Sequence, residues 1–196
     1  MISGVTAIAR FPFTDVPAGS WYYGAAAYAY NNGLFAGTTA TTFAPDMTMT
    51  RAMLVSVLWR LAGEPAPKGA NTFDDVPDGT WYTDAVTWAA ENGVVAGIGN
   101  GRFDPDGSVT REQTAVILFN YAQSKGYDVS ARADLSAFPD AGSVSDWAKD
   151  ALADAVALGL ISGASNGGQT YLEPQGSATR EQVATILMEF CKNVKQ

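Results

Sequence analysis

Arg51, Arg111 and Arg180 each follow a threonine and stand just ahead of an apolar helical pattern, in the stretches MTRAM, VTREQ and ATREQ. A helix N-terminus already carries partial positive charge, so a cation there costs from a few tenths to about 1 kcal/mol. Repeating that cost three times suggests that each guanidinium has a partner. One chemistry is anion binding, in which free helix N–H groups and a bidentate arginine fork converge on a carboxylate or phosphate. The other is a salt bridge between repeats, to one of the 20 Asp and Glu residues. Spacing leaves both open. Two tryptophans, Trp21 and Trp81, offer indoles on which a sugar ring could stack, although burial in the core is the commoner fate of a single Trp. Asp15, Asp75 and Asp140 suit either the capping of a turn or the acceptance of sugar hydroxyls, and capping is the simpler role.

The elements that must carry these residues follow from an internal repeat. FTDVPAGSWYYGAAAYAYNNGLFAG, from Phe13, returns as FDDVPDGTWYTDAVTWAAENGVVAG, from Phe73, and more loosely as FPDAGSVSDWAKDALADAVALGLISG, from Phe138. The third copy has extra residues near Ser143 and in its GASNGGQTYLEP loop. Each unit predicts helix, loop, helix. The first helix starts near Trp21, Trp81 or Trp147, is rich in alanine, and stops at Gly33, Gly93 or Gly159, where a C′ glycine ends a helix. Thr50, Thr110 and Thr179 are N-cap residues for the second helix, and Gln113 and Gln182 complete capping boxes. The second helices carry one apolar stripe in a common register: Leu54, Val57, Leu58 and Leu61; Thr114, Ile117, Leu118 and Tyr121; Val183, Ile186, Leu187 and Phe190. One such helix pair cannot bury its own face, so three units should share a core around a pseudo-threefold axis. Linkers are expected at Gly63 to Asn71 and at Ser124 to Ser136.

Composition narrows the chemistry. The net charge is −8, with 12 Lys and Arg and no basic run, which argues against nonspecific nucleic-acid binding. With no histidine and a single cysteine, Cys191, the chain lacks the commonest general base and metal ligand, and it cannot close a disulfide on itself. Glycoside hydrolysis needs only two carboxylates, but no acidic pair stands out by spacing. The DPDG run at Asp104 to Gly107 lacks the alternating ligands of a calcium loop and predicts a turn. Apolar runs are too short to span a membrane. The opening MISGVTAIAR has no basic region followed by an apolar one, so a secretory leader is not expected in it; the chain is either cytoplasmic or cut from a longer one.

The combination F-x-D-V-P, W-Y, A-x-x-N-G-x-x-x-G, F-x-P and T-R, present three times over nearly the whole chain, closely resembles the S-layer homology domain. That resemblance implies a mainly α fold, a pseudo-trimer of helix-loop-helix repeats with a central three-helix bundle and three prongs. The repeats would span residues 1–63, 64–126 and 127–196. It implies a non-catalytic bacterial surface anchor that binds an anionic, typically pyruvylated, secondary cell-wall polysaccharide in grooves between repeats. Arg51, Arg111 and Arg180 would read the anion, assisted by Trp21, Trp81 and Trp147 and by Asp15, Asp75 and Asp140. No cofactor, metal, nucleic acid or membrane insertion is implied. The expected location is the cell wall or cell surface, within a larger surface protein. The alternative is a protein-interaction or S-layer assembly module with structural arginine ion pairs. The first copy lacks the acidic residue after its arginine, and the second and third carry Glu112 and Glu181 followed by Gln. The third copy departs furthest, with Trp147-Ala148 in place of Trp-Tyr and a longer loop.

Overall fold

The computed structural model describes residues 11–194; the opening segment read above for a leader lies outside them. Among the described residues six α-helices carry the fold: α1 (Tyr23–Asn31), α2 (Arg51–Leu61), α3 (Thr83–Glu91), α4 (Arg111–Ser124), α5 (Lys149–Ala157) and α6 (Arg180–Asn193). A two-stranded antiparallel hairpin, β1 (Ala164–Asn166) and β2 (Gln169–Tyr171), occupies the longer loop of the third copy. The chain is thus mainly helical, as the repeat pattern implies.

The first helices begin about two residues later than expected, at Tyr23, Thr83 and Lys149, because each tryptophan lies in the turn before the helix. None of these three helices has a side-chain N-cap. Their C-terminal glycines take the left-handed φ that the sequence called for, at 68° for Gly33 and Gly93 and 70° for Gly159. The second helices start at the arginines. Thr50 Oγ1 accepts from Met53 N–H and Thr110 Oγ1 from Gln113 N–H, both at 3.2 Å, and Thr110 N–H donates in return to Gln113 Oε1 at 3.0 Å. Thr179 receives only the return half of its box, from its own N–H to Gln182 Oε1 at 3.2 Å, while its hydroxyl is buried without a partner.

Repeats interlock rather than stand alone. α2 packs on α3, α4 on α5, and α6 closes the ring on α1, so every second helix supports the first helix of the following copy. At the axis three backbone bonds form a closed triangle: Met49 N–H donates to Ala178 O, Ala178 N–H to Val109 O, and Val109 N–H to Met49 O, at 2.9 to 3.0 Å. All three residues are buried. The apolar stripes face one continuous core, with Leu61 alone half-buried; Tyr121 of α4 and Phe190 of α6 meet there with ring centroids 5.9 Å apart. Sharing a core in this way buries area that no single helix pair of this length could cover.

Gly37, Gly97 and Gly163 mark where the loop leaves the first helix and passes a phenylalanine ring. A Cβ on Gly37 would lie 2.4 Å from Phe13 Cε1, and one on Gly97 would lie 2.8 Å from Phe73 Cε1. Only glycine permits that approach.

Candidate functional site

The three arginines are buried, at 8, 8 and 6% exposure for Arg51, Arg111 and Arg180. The salt bridge between repeats is not among their contacts with other described residues. Among the described residues none pairs with a carboxylate within 4 Å, and the helix N–H groups beside them are not free. Each arginine instead grips the backbone of the next repeat. Arg51 donates through Nε to Phe103 O at 2.7 Å and through Nη2 to Ala96 O at 2.9 Å. Arg180 donates through Nε to Phe43 O at 2.8 Å and through Nη2 to Ala36 O at 2.7 Å. Arg111 donates through Nε to Leu172 O at 2.8 Å. The first two also lie over aromatic rings: Arg51 is 4.6 Å from the Phe103 centroid, and Arg180 is 4.7 Å from Phe43 and 5.0 Å from Phe35.

The proline turn of the neighbouring copy makes the unfavourable helix position tolerable. Arg51 N–H donates to Gly107 O and Ala52 N–H to Pro105 O; Arg111 and Glu112 use Gly176 O and Pro174 O; Arg180 and Glu181 use Met47 O and Pro45 O. Carbonyl dipoles thereby face the positive end of each helix and the guanidinium together. The DPDG run is one of these turns, closed by Gly107 N–H to Asp104 O at 3.2 Å. This capping of one repeat by another was missed from sequence, although F-x-P recurring at a fixed distance before T-R was its signal.

Asp15, Asp75 and Asp140 hold the same loops from behind. Asp15 accepts from Phe43 and Ala44 N–H, Asp75 from Phe103 and Asp104, and Asp140 from Leu172 and Glu173, all between 2.7 and 2.9 Å. Ala44, Asp104 and Glu173 have positive φ, at 56°, 61° and 50°, so the carboxylates stabilise a strained turn. Each peptide between aspartate and arginine is held on both sides: its N–H by the carboxylate, its carbonyl by Nε. Burial draws all three arginine pKa values down, Arg180 to about 10, against the opposing pull of nearby aspartate or glutamate.

The tryptophans are the largest surprise. Trp21, Trp81 and Trp147 are 65, 58 and 59% exposed, so the core placement expected for a single Trp is wrong. The turn before each first helix projects the indole outward, and Tyr22 and Tyr82 brace Trp21 and Trp81 edge-on, at 5.4 and 5.0 Å. Two cavities lie beneath these indoles. The larger, of about 540 Å³, is lined by Arg111, Trp21, Ser162, Ser165, Gln182 and Thr185 among others. The smaller, of about 190 Å³, is lined by Arg180, Trp81, Arg60 and the methionines Met47, Met49 and Met53 among others. Each cavity combines all three repeats: an arginine from one, the loop and second helix of the next, and a tryptophan from the one after. Arg51, Trp147 and the three aspartates line neither.

Arg111 differs from its counterparts in one respect. Arg51 and Arg180 spend an Nη2 hydrogen on the carbonyl before the close-approach glycine, whereas Arg111 makes no such bond to Ser162 O or to any other acceptor among the described residues. Gly163 has φ of 82°, which is not the case at Gly37 or Gly97, and the β1–β2 hairpin follows it. The third copy, whose loop departs furthest from the repeat pattern, therefore borders the wider cavity and leaves the arginine's outer edge available.

Comparison with known proteins places this geometry. The sequence model of the S-layer homology domain matches three times, at residues 12–52, 72–115 and 137–184, together more than half of the chain. An endoglucanase of Bacillus sp. (strain KSM-635) is 33% identical over 90% of this chain but only 18% of its own length. The surface-layer 125 kDa protein of Lysinibacillus sphaericus is 33% identical over 83% of the chain and 13% of its own. The S-layer protein sap of Bacillus anthracis is 26% identical over 98% of the chain and 23% of its own. The chain spans less than a quarter of each of these relatives.

Proposed function

The chain belongs to the S-layer homology domain family, and from that premise we propose that it is a non-catalytic module anchoring a larger surface protein to the bacterial cell wall through an anionic, pyruvylated polysaccharide. Relatives as different as an endoglucanase and a surface-layer protein match this chain over only 18% and 13% of their own lengths, which suits an attachment module better than a catalytic one. The observation that carries the reading is the wide cavity lined by both an exposed Trp21 and Arg111, whose Nη edge is unspent.

A sugar ring offers an apolar face to the indole, while a ketal-linked pyruvate offers a carboxylate to the guanidinium. Ser162, Ser165, Gln182 and Thr185 supply donors and acceptors for hydroxyl groups around the same cavity. The aspartates act at one remove by holding the loops. The net charge of −8 repels polyanions in general, so recognition rests on the local fork rather than on a broad field. Engagement of more than one groove by one polymer raises apparent affinity by roughly 10²–10⁴ where geometry permits.

Retention on purified wall polysaccharide tests the reading. Trp21→Ala should weaken retention by about five- to a hundredfold, taking an aromatic stacking contact at about 1–3 kcal/mol, and removal of the ketal pyruvate should weaken it at least about tenfold, the loss of one charge-assisted contact. Undiminished retention on depyruvylated polymer would remove the anion from the proposal. Concentration-dependent oligomers with no retention would favour the assembly alternative.

A further inference from the structure

The position nine residues after each repeat arginine differs in charge: Arg60 in the first copy, Asn120 in the second and Glu189 in the third. It lies in the C-terminal half of each second helix. Asn120 Nδ2 donates to Val94 O at 3.3 Å, and Glu189 pairs with Lys192 at 3.1 Å. Arg60 donates Nη1 to Leu34 O at 3.1 Å, has no carboxylate within 4 Å among the described residues, and lines the smaller cavity together with Arg180. That cavity thus holds two guanidinium groups and no acidic side chain in its wall. Burial lowers the pKa of Arg180, Asp15 opposes that shift, and the nearby charge of Arg60 adds to it.

We propose that the Arg60–Arg180–Trp81 groove is a site for a doubly charged anion of the phosphate-monoester class, and that Arg60 is the residue that sets this preference. The proposal rests on reading the grooves as anion sites, and it makes them chemically unequal. The larger groove presents one available guanidinium amid hydroxyls and an amide, fitting a single carboxylate on a polar sugar. The smaller presents two cations against the side chains of Met47, Met49 and Met53, fitting a compact dianion. Two like charges facing one small cavity are unfavourable when it is empty, and a dianion relieves their repulsion while an uncharged or singly charged group does so less. The guanidinium hydrogens not committed to Leu34, Phe43 and Ala36 remain to donate to it.

The test uses the whole chain and two small probes at matched ionic strength: methyl phosphate, which carries about −1.5 to −2 charge near neutral pH, and acetate. The readout is the indole N–H resonance of Trp81, followed by ¹H–¹⁵N correlation spectroscopy. Methyl phosphate should shift it saturably, with a dissociation constant at least about tenfold below that of acetate, the loss expected for one charge-assisted contact. Arg60→Gln should bring the two probes to within about twofold, and Arg60→Lys should keep the preference. Equal affinity for the probes in the native chain, or a preference that survives Arg60→Gln, overturns the proposal. Wall-polysaccharide retention in the same variants separates the two readings. An Arg60-dependent phosphate site without polymer retention leaves this inference standing and removes the anchoring one; polymer retention without dianion preference does the reverse.

Discussion

Replacing Arg180 by alanine should destabilise the protein far more than the same change at Arg111, although the two occupy equivalent positions in the repeat. Arg180 makes two hydrogen bonds to the neighbouring repeat, to Phe43 O and Ala36 O, and lies over two phenylalanine rings. Bonds from a charged donor are worth about 1.5–3 kcal/mol each, and a desolvated cation–π contact adds about 1–2 kcal/mol. Allowing for water entering the vacated space, Arg180→Ala should cost about 3–5 kcal/mol. Arg111 makes one such bond, to Leu172 O, so Arg111→Ala should cost about 1–3 kcal/mol. Unfolding in urea, followed by far-ultraviolet circular dichroism, measures the difference without adding guanidinium ions. Equal losses for the two variants would refute the view that Arg180 is committed to the inter-repeat backbone while Arg111 has donors to spare.

Gly97→Ala should destabilise by about 1–3 kcal/mol, the usual cost of overpacking, because the new Cβ meets Arg102 O at 2.6 Å and the Phe73 ring at 2.8 Å; a thermal melt unchanged from the native would contradict the close approach. Asp154 on α5 is 4% exposed, lies 3.6 Å from Arg132 Nη1, and has an Oδ1 with no hydrogen-bond partner, so burial raises its pKa. A raised carboxyl pKa means that the folded state binds the proton more tightly. Its contribution is therefore present below the ordinary carboxylate range and is lost as pH rises through the folded value. Asp154→Asn should flatten that part of the stability–pH curve, and an unaltered curve in urea titrations would show that the carboxyl ionises freely.

Much of the scaffold was readable from residue types because its causes are local. Threonine capping, the Gln113 box, the terminal glycines and the apolar stripes depend on neighbours within a helical turn or two, where periodicity and side-chain chemistry carry the information. The threefold plan followed from repetition, since units too small to bury their own faces must share a core. The aspartates also came out as turn caps, though each reaches a turn 28 to 33 residues away. The tryptophans were misjudged because burial frequencies describe an average indole, whereas these sit in a turn whose direction is set by how the first helix packs on the preceding repeat's second helix.

The chain's repeat pattern was enough to identify three arginines as exceptional, and helix electrostatics explained why they needed partners. Which atoms those partners are depended on contacts across 45 to 144 positions of sequence, as with Arg51 to Ala96 and Arg180 to Ala36. Nearness along the chain pairs Trp21 with Arg51; the closed ring of repeats instead brings Trp21 to one cavity with Arg111 and Trp81 to another with Arg180. Local rules cannot reach that far, because the offset between one repeat and the next is created only when three helix pairs interlock about a common axis.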